Sequence, residues 1–137
     1  MILADTGPVV ALNDPGDPYR ESVVRALKTI RGQELVVPSP VVIEASYFLN
    51  RRAGPRFEAN LLRQVTTGAI RTIETVLDDY GRAADLVEQY ADFPLGTVDA
   101  LIVAIAERLN VTTIFTLDRR HFSVIRPRHI DAFTVVP

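Results

Sequence analysis

Four acidic residues stand out because solvent exposure on a helix face does not explain them, as it does for most of the seventeen Asp and Glu residues. They lie beside apolar runs in the sequence and are Asp5, Glu44, Asp99 and Asp118. Carboxylates brought close together repel one another and raise one another's pKa values. A hard divalent cation relieves that repulsion, and Mg²⁺ or Mn²⁺ is expected because both bind oxygen ligands. A metal held in this way can activate water and bind phosphate oxygens, which predicts hydrolysis of phosphate esters.

Each of these acids also has a structural explanation of its own, which the residues alone leave open. Asp5 could cap the helix that follows it, and Glu44 could be a paired carboxylate in the core. Asp99 could complement the dipole of its helix, and Asp118 could begin a turn. These four separate explanations do not account for the convergence of all four carboxylates on one edge of the predicted fold.

The elements that must position these acids are short apolar strands alternating with helices. The predicted strands are Ile2–Ala4, Leu35–Val37, Ile70–Val76, Thr113–Leu117 and Phe133–Val136. Three helices are predicted over Glu21–Arg31, Val41–Arg51 and Asp78–Tyr90, the second with Ser39 as its N-cap. A further helix begins after the turn Thr6-Gly7-Pro8, another contains Phe57 and Leu61 and ends at Gly68, and the last begins after a Thr97 cap and ends at Leu109. This alternation predicts a three-layer α/β/α domain with a central, mostly parallel sheet. In such a sheet, strand carboxyl ends and the following helix N-termini share one edge, and all four acids map to that edge.

The composition fits a single domain over residues 1–137. The chain contains no cysteine, which excludes a disulfide scaffold, a Cys-ligated zinc site, an iron–sulfur cluster and a thiol nucleophile. The formal charge of −2 gives no strong global field toward nucleic acid. Fourteen of the fifteen basic residues are arginine, which fits phosphate contacts and equally fits a bias in codon use.

Neither a membrane span nor a signal peptide is expected. The longest apolar run, Ala100–Ala106, is much shorter than the ~20 residues that a membrane-spanning helix needs. The apolar residues at the N-terminus are followed at once by Asp5, without the basic and apolar regions of a signal peptide. We therefore expect a soluble, cytoplasmic protein.

Four stretches resemble, in order and spacing, the acidic motifs of PIN-domain ribonucleases. They are Met1–Pro8 with Asp5, Val36–Ala45 with Glu44, Gly96–Ala104 with Asp99, and Thr116–Phe122 with Asp118. The resemblance extends over the whole chain, and the length is similar to that of VapC toxins of type II toxin–antitoxin pairs. It implies a PIN-like fold and a Mg²⁺- or Mn²⁺-dependent endoribonuclease that is a homodimer and is silenced by a VapB-like antitoxin.

The resemblance also implies roles for individual residues. Asp5 and Asp99 are the expected closest metal ligands, whereas Glu44 and Asp118 are expected to act through water. Two threonines match hydroxyl positions that orient metal-bound water, although either could instead be a cap or strand residue; they are Thr6 and Thr116.

Other residues are candidates for contacts with substrate and antitoxin. Arg119 and Arg120 directly follow Asp118 and could steady a phosphate of the RNA. An apolar segment of the antitoxin is expected in a groove lined by Tyr47, Phe48, Phe57, Leu61 and Leu62, unless these residues belong to the core. Hydrolysis by a metal-activated water would leave 5′-phosphate and 3′-hydroxyl ends on the RNA.

Other functions fit the sequence less well. Asp5-Thr6-Gly7 is also the active-site triplet of aspartic proteases, but those enzymes need two such aspartates in an all-β fold. A haloacid-dehalogenase phosphatase needs an aspartate two residues after Asp5, where Gly7 stands. His121 and His129 lie beside arginines and are expected at the surface or at helix ends, and not as metal ligands or as acid–base groups of catalysis. The alternative function is a catalytically silent PIN-fold module that binds RNA or protein, and the retention of all four acids argues against it.

Overall fold

The computed structural model describes residues 1–93 and 95–137. In this part of the chain, a five-stranded sheet has the order β3-β2-β1-β4-β5, and every strand pairing is parallel. The strands are β1 (Ile2–Ala4), β2 (Leu35–Pro38), β3 (Thr72–Ile73), β4 (Thr113–Phe115) and β5 (Thr134–Val136). The α/β prediction with a central sheet is confirmed, and the described sheet is parallel throughout.

Seven helices flank the sheet in the described residues. They are α1 (Thr6–Asn13), α2 (Arg20–Thr29), α3 (Ser39–Ala53), α4 (Pro55–Thr66), α5 (Leu77–Gln89), α6 (Thr97–Leu109) and α7 (Arg119–Val124). No helix in residues 1–93 and 95–137 combines the length and apolar character that crossing a membrane requires.

Two apolar clusters cover the two faces of the sheet. Side chains of consecutive strand residues point to opposite faces, and β1 divides its residues accordingly. Ile2 packs in a cluster with Val23, Ala26 and other residues of α1 and α2. Leu3 packs in the larger cluster, which includes residues of α3, α5 and α6. Both faces are thus buried, as the three-layer prediction requires.

The strand order reverses direction between β1 and β4. From β1 the chain adds β2 and β3 on one side, whereas β4 and β5 lie on the other side. In an open parallel sheet, such a switch point leaves a crevice outside the carboxyl ends of the two central strands. Asp5 directly follows β1 and Asp118 follows β4 by three residues, so both lie at this crevice.

Several boundaries differ from the predicted ones. The strand predicted over Ile70–Val76 is reduced to Thr72–Ile73, because only this short segment pairs with β2. The strand predicted to Leu117 ends at Phe115. A helix directly after Asp118 was missing from the prediction, since six residues are too few to show a helical period.

The predicted helix caps are also displaced by one residue. Ser39 and Thr97 are already the first residues of α3 and α6, whose N-caps are Pro38 and Gly96. An N-cap needs a non-helical backbone, so neither side chain performs the predicted capping. Asp5, in contrast, has an extended backbone and caps α1.

The helix that carries Asp99 is tied to α5 by two arginine–carboxylate pairs. Arg82 of α5 lies 2.7 Å from Glu107 of α6. Arg108 of α6 lies 2.9 Å from Asp79, whose side chain is only 2% exposed. Charge-assisted pairs of this kind, with little exposure to solvent, hold α6 in a fixed position against α5.

Candidate active site

A cleft of about 660 Å³ lies at the switch point of the sheet, and all four predicted acids line its wall. Asp5 comes from the end of β1 and Glu44 from the second turn of α3. Asp99 is the third residue of α6, and Asp118 precedes α7. The structure therefore brings the four carboxylates to one place from distant parts of the chain.

Asp5 is the most deeply buried of the four acids, with an exposed fraction of 7%. Its Oδ1 accepts a hydrogen bond from the Thr6 backbone N–H at 2.6 Å, and its Oδ2 accepts one from the Thr116 hydroxyl at 2.6 Å. Burial raises the pKa of Asp5, and the nearby carboxylates of Glu44 and Asp118 raise it further, while the two hydrogen bonds oppose the increase. The capping explanation for Asp5 is thus correct, but its second carboxyl oxygen is directed to Thr116.

Thr6 connects Asp5 to Glu44. The backbone N–H of Thr6 bonds to Asp5, and its hydroxyl donates to Glu44 Oε2 at 2.5 Å. Glu44 is half-buried, and in the described residues it has no basic partner within ion-pair distance. Its hydrogen-bond partner is a hydroxyl, so its negative charge is not neutralised by a cation of the protein.

The pKa of the Asp99 carboxyl group is strongly raised in the cleft. Burial is the largest cause, followed by the charge of Asp5, and the pKa of Asp99 rises from 3.8 to about 6. Glu44 and Asp118 raise it further, whereas His121 opposes the rise. Perturbed pKa values from burial and like charges are typical of functional sites.

Asp118 and His121 complete the cleft on the side of β4. Asp118 Oδ1 accepts from the His121 backbone N–H at 3.1 Å and so caps α7. The His121 ring Nδ1 lies 3.0 Å from Asp118 Oδ2 and 3.3 Å from Asp99 Oδ2. His121 was expected at the surface or at a helix end, and its contact with two of the acids was not predicted. Its spacing of three residues after Asp118 could have indicated the contact if α7 had been predicted.

Thr116 links the two central strands at the cleft. Its side chain is fully buried, donates to Asp5 and accepts from the Asp118 backbone N–H at 2.8 Å. A single hydroxyl therefore fixes the acids at the ends of β1 and β4 relative to each other.

The two predicted phosphate-binding arginines also line the cleft. Arg119 donates to the backbone carbonyl of Pro137, and the guanidinium of Arg120 lies 5.4 Å from the centre of the Phe93 ring. Across residues 1–93 and 95–137, neither arginine forms an ion pair with the four acids. Both guanidinium groups are thus at the rim and not between the carboxylates.

The cleft wall includes residues that were not predicted to lie there, among them Tyr19, Arg52 and Phe48, the last of which was expected in the antitoxin groove. Gly7 also lines the cleft, and a Cβ at this position would lie 3.4 Å from the Leu117 side chain. No signal in the sequence marks Tyr19, because the loop that carries it reaches the cleft only in the folded chain.

The predicted antitoxin groove does not exist as one surface. Leu61 is fully buried, and Phe48 and Phe57 are partly buried against the core. Only Tyr47 and Leu62 are well exposed, at 55% and 46%. For the other three, the alternative that they belong to the core is supported, because α3 and α4 pack against each other through them. His129 is also a structural residue, since its Nε2 lies 2.7 Å from the Val111 carbonyl oxygen, away from the cleft.

A second cavity, of about 450 Å³, lies between α1, α4 and the sheet. Its walls include Val9, Leu12 and Phe57 together with the amides of Asn13 and Gln64. In the part of the chain that the structure describes, no acidic side chain lines this cavity. The two carboxyl groups with raised pKa values, those of Asp5 and Asp99, are in the first cleft, so the chemistry is expected there.

A family model of the PIN domain matches residues 2–126. The chain belongs to the PIN-domain family. It is 35% identical over 136 residues to ribonuclease VapC26 of Mycobacterium tuberculosis, and the match covers 99% of this chain and 100% of that protein.

Solved structures share the PIN fold with this chain. Mycobacterium tuberculosis VapC20, a toxin that cleaves the sarcin–ricin loop, aligns with a TM-score of 0.81 and 19% identity over 88% of this chain and 92% of that one. VapBC2 from Rickettsia felis, bound to a DNA fragment from its promoter, aligns with a TM-score of 0.70 and 18% identity over 98% and 97% of the two chains. At these identities the likeness concerns the fold.

The side chains at the cleft of this PIN domain offer the type of ligand atom that a hard divalent cation binds. Four carboxylates and two hydroxyls supply oxygen ligands at the cleft, which Mg²⁺ prefers, beside the ring nitrogen of His121. The raised pKa values of Asp5 and Asp99 indicate negative charge that a cation would stabilise. As placed, no three His, Asp or Glu side chains in residues 1–93 and 95–137 converge closely enough to hold one ion. Binding would thus require the carboxyl groups to turn from their present partners.

Proposed function

We propose that this PIN domain is a Mg²⁺- or Mn²⁺-dependent endoribonuclease that acts as the toxin of a VapBC-type toxin–antitoxin pair. The observation that carries the proposal is the cleft lined by Asp5, Glu44, Asp99 and Asp118, in which burial and mutual repulsion raise the pKa values of Asp5 and Asp99. The 35% identity to a VapC ribonuclease supports RNA as the substrate.

The four acids of the cleft would have different roles, because they are buried to different extents. Asp5 and Asp99, the two acids with raised pKa values, would be the closest ligands of the metal. Glu44 is half-buried and the Asp118 side chain is 47% exposed, so both would act through water. The metal, when bound, supplies activation of water and stabilisation of charge on the phosphate oxygens.

The neighbouring hydroxyls and guanidinium groups position the reactants. Thr6 and Thr116 donate hydrogen bonds to the carboxylates of Glu44 and Asp5 in the metal-free cleft and would orient water once the metal is bound. Arg119 and Arg120 at the rim would bind phosphate oxygens of the RNA. Water would attack the phosphorus and the 3′ oxygen would leave, so the products would carry 5′-phosphate and 3′-hydroxyl ends.

The partners are a VapB-like antitoxin and a second copy of the chain, both met in the cytoplasm. Three exposed apolar side chains of α3 and α4 line one surface depression and would receive an apolar antitoxin segment; they are Ile43, Tyr47 and Leu62. An antitoxin arginine that reached the cleft would pair with the exposed carboxylates and prevent metal binding.

The proposal is tested by incubating the purified protein with RNA in the presence of Mg²⁺, Mn²⁺ or EDTA. Cleavage is expected with either metal and is expected to stop in EDTA. Glu44→Gln and Asp99→Asn should abolish cleavage, whereas Glu88→Gln, at an exposed position of α5, should cut as the wild type does. RNA binding without cleavage in either metal would instead identify a catalytically silent PIN module.

A further inference from the structure

An exposed aromatic side chain stands at the cleft without a structural role of its own. Tyr19 lines the same cleft as Asp5 and Asp99, and its exposed fraction is 58%. Within the described residues, its hydroxyl makes no hydrogen bond. Tyr19 precedes α2 at the N-cap position, yet no side-chain hydrogen bond caps this helix. Neither packing nor capping therefore explains a large aromatic ring at this position.

The loop before α2 holds Tyr19 in place. The Tyr19 backbone N–H donates to Asp17 Oδ1 at 2.8 Å, and Gly16 N–H donates to Asp14 Oδ1 at 2.9 Å. The Asp17 side chain is only 5% exposed, and its other oxygen lies 3.5 Å from the Arg52 guanidinium of α3. The loop is thus tied to α3 before any ligand binds, which lowers the entropy cost of binding at Tyr19.

Three guanidinium groups line the same cleft as this ring. Arg52 lines the same wall and stands 5.6 Å from the centre of the Phe48 ring. Arg119 and Arg120 come from the side of α7. Proteins that bind single-stranded nucleic acid combine exposed aromatic rings with basic side chains in one groove, since a ring stacks on a base while the basic groups contact phosphates.

We infer that Tyr19 stacks on an unpaired base of the RNA next to the phosphate that is cut, and that Arg52 contacts the neighbouring phosphate. This inference rests on the proposed function, because it concerns the same cleft. A base inside a duplex cannot present its face to Tyr19, so the site selects unpaired RNA. Tyr19 is a positioning residue, and the chemistry stays with the acids.

Binding of a fluorescent RNA probe tests the stacking. The probe is an unpaired oligonucleotide of about ten nucleotides that contains 2-aminopurine, whose fluorescence falls when it stacks on an aromatic ring. Asp99→Asn serves as the background, so that the RNA stays intact. In this background, Tyr19→Ala and Tyr19→Leu should weaken binding roughly 5- to 100-fold and remove the fluorescence quenching. Tyr19→Phe should retain both, because it keeps the ring.

Tyr80 provides the matched control, since it is exposed to 57% but belongs to α5, outside the cleft wall. Tyr80→Ala should leave binding and quenching unchanged. Arg52→Ala should weaken binding and reduce its dependence on salt, whereas Tyr19→Ala should leave the salt dependence as it is, because tyrosine carries no charge. In the active protein, Tyr19→Ala should raise KM for the unpaired RNA more than it lowers kcat.

Three results would overturn the inference. In the first, Tyr19→Ala binds the unpaired RNA as tightly as the protein with Tyr19 does. In the second, Tyr19→Phe loses as much binding as Tyr19→Ala. In the third, Tyr19→Ala weakens binding of a blunt RNA duplex as much as binding of the unpaired RNA. If in addition the otherwise unaltered protein cuts RNA with Mg²⁺, the proposed function stands without the stacking role. If that protein neither binds nor cuts RNA, both the inference and the proposed function fail.

Discussion

Replacing Asp99 by asparagine should stabilise the metal-free protein while it abolishes cleavage. The carboxyl group of Asp99 has a pKa of about 6 in the folded protein, compared with an ordinary value of 3.8. Its ionised form is therefore less favourable in the folded state than in the unfolded state, chiefly because of burial and the charge of Asp5. Asparagine keeps the shape of the side chain and carries no charge, so it removes this cost.

The size and the pH dependence of the effect follow from the two pKa values. Below about pH 3 the carboxyl group is largely protonated in both states, and its ionisation costs almost nothing. The cost grows as the pH rises from about 4 to about 6 and is constant above that, at about 3 kcal/mol. The contact with His121 at 3.3 Å is lost in the variant and offsets part of the gain. We therefore expect Asp99→Asn to add about 1–3 kcal/mol to the free energy of unfolding at pH 7.5.

The assay is urea unfolding in EDTA at pH 7.5 and at pH 4, followed by circular dichroism. The gain should be largest at pH 7.5 and should fall to roughly 0.5 kcal/mol or less at pH 4. Asp78→Asn is the matched control, because Asp78 also lies in the first turn of a helix but is exposed. It should lose a few tenths of a kcal/mol to about 1 kcal/mol of helix-dipole stabilisation. If Asp99→Asn is less stable than the wild type at pH 7.5, the carboxylate is not in an unfavourable environment and the reasoning is refuted.

The remaining predictions concern the fold and the metal. Arg108→Ala should lower the free energy of unfolding by about 2–4 kcal/mol in urea titrations, because it leaves the buried carboxylate of Asp79 unpaired. Arg25→Ala, which breaks an exposed pair, should change it by less than about 0.5 kcal/mol; equal losses would contradict this reasoning. Gly54→Ala should lower the free energy of unfolding by about 1–3 kcal/mol, because φ is +99° at this position. Gly81→Ala, inside α5, should raise it by up to about 1 kcal/mol. Thermal melts that rank the two variants in the opposite order would contradict this reasoning. Cleavage lost in EDTA should return with Mg²⁺ or Mn²⁺ but not with Ca²⁺, whose looser coordination does not provide octahedral geometry; activity with Ca²⁺ would argue against this geometry.

The acids could be located from the sequence because each lies beside a strongly apolar element. Ile2–Ala4 and Thr113–Phe115 are buried strands, and the topology of a parallel sheet brings their carboxyl ends to one edge. Asp5 and Asp118 follow these strands, so the sequence alone predicts that they lie close together.

Other parts of the site depend on contacts that leave no periodic pattern. The position of His121 beside Asp99 follows from α7, which is too short to be recognised by its period. The position of Tyr19 follows from the contact between Asp17 and Arg52, which are 35 residues apart in the chain. Burial of Leu61 follows from the packing of α4 on α3, which the apolar pattern alone does not distinguish from an exposed groove.

The chemistry of the RNA ends tests the central claim most directly, because His121 stands beside the acids and histidine is a common acid or base in metal-free ribonucleases. RNA cut by the wild-type protein in Mg²⁺ is analysed for its terminal groups. Carboxylates that hold a metal to activate water predict 5′-phosphate and 3′-hydroxyl ends, with no cleavage in EDTA. Cyclic 2′,3′-phosphate ends that persist in EDTA would contradict the account.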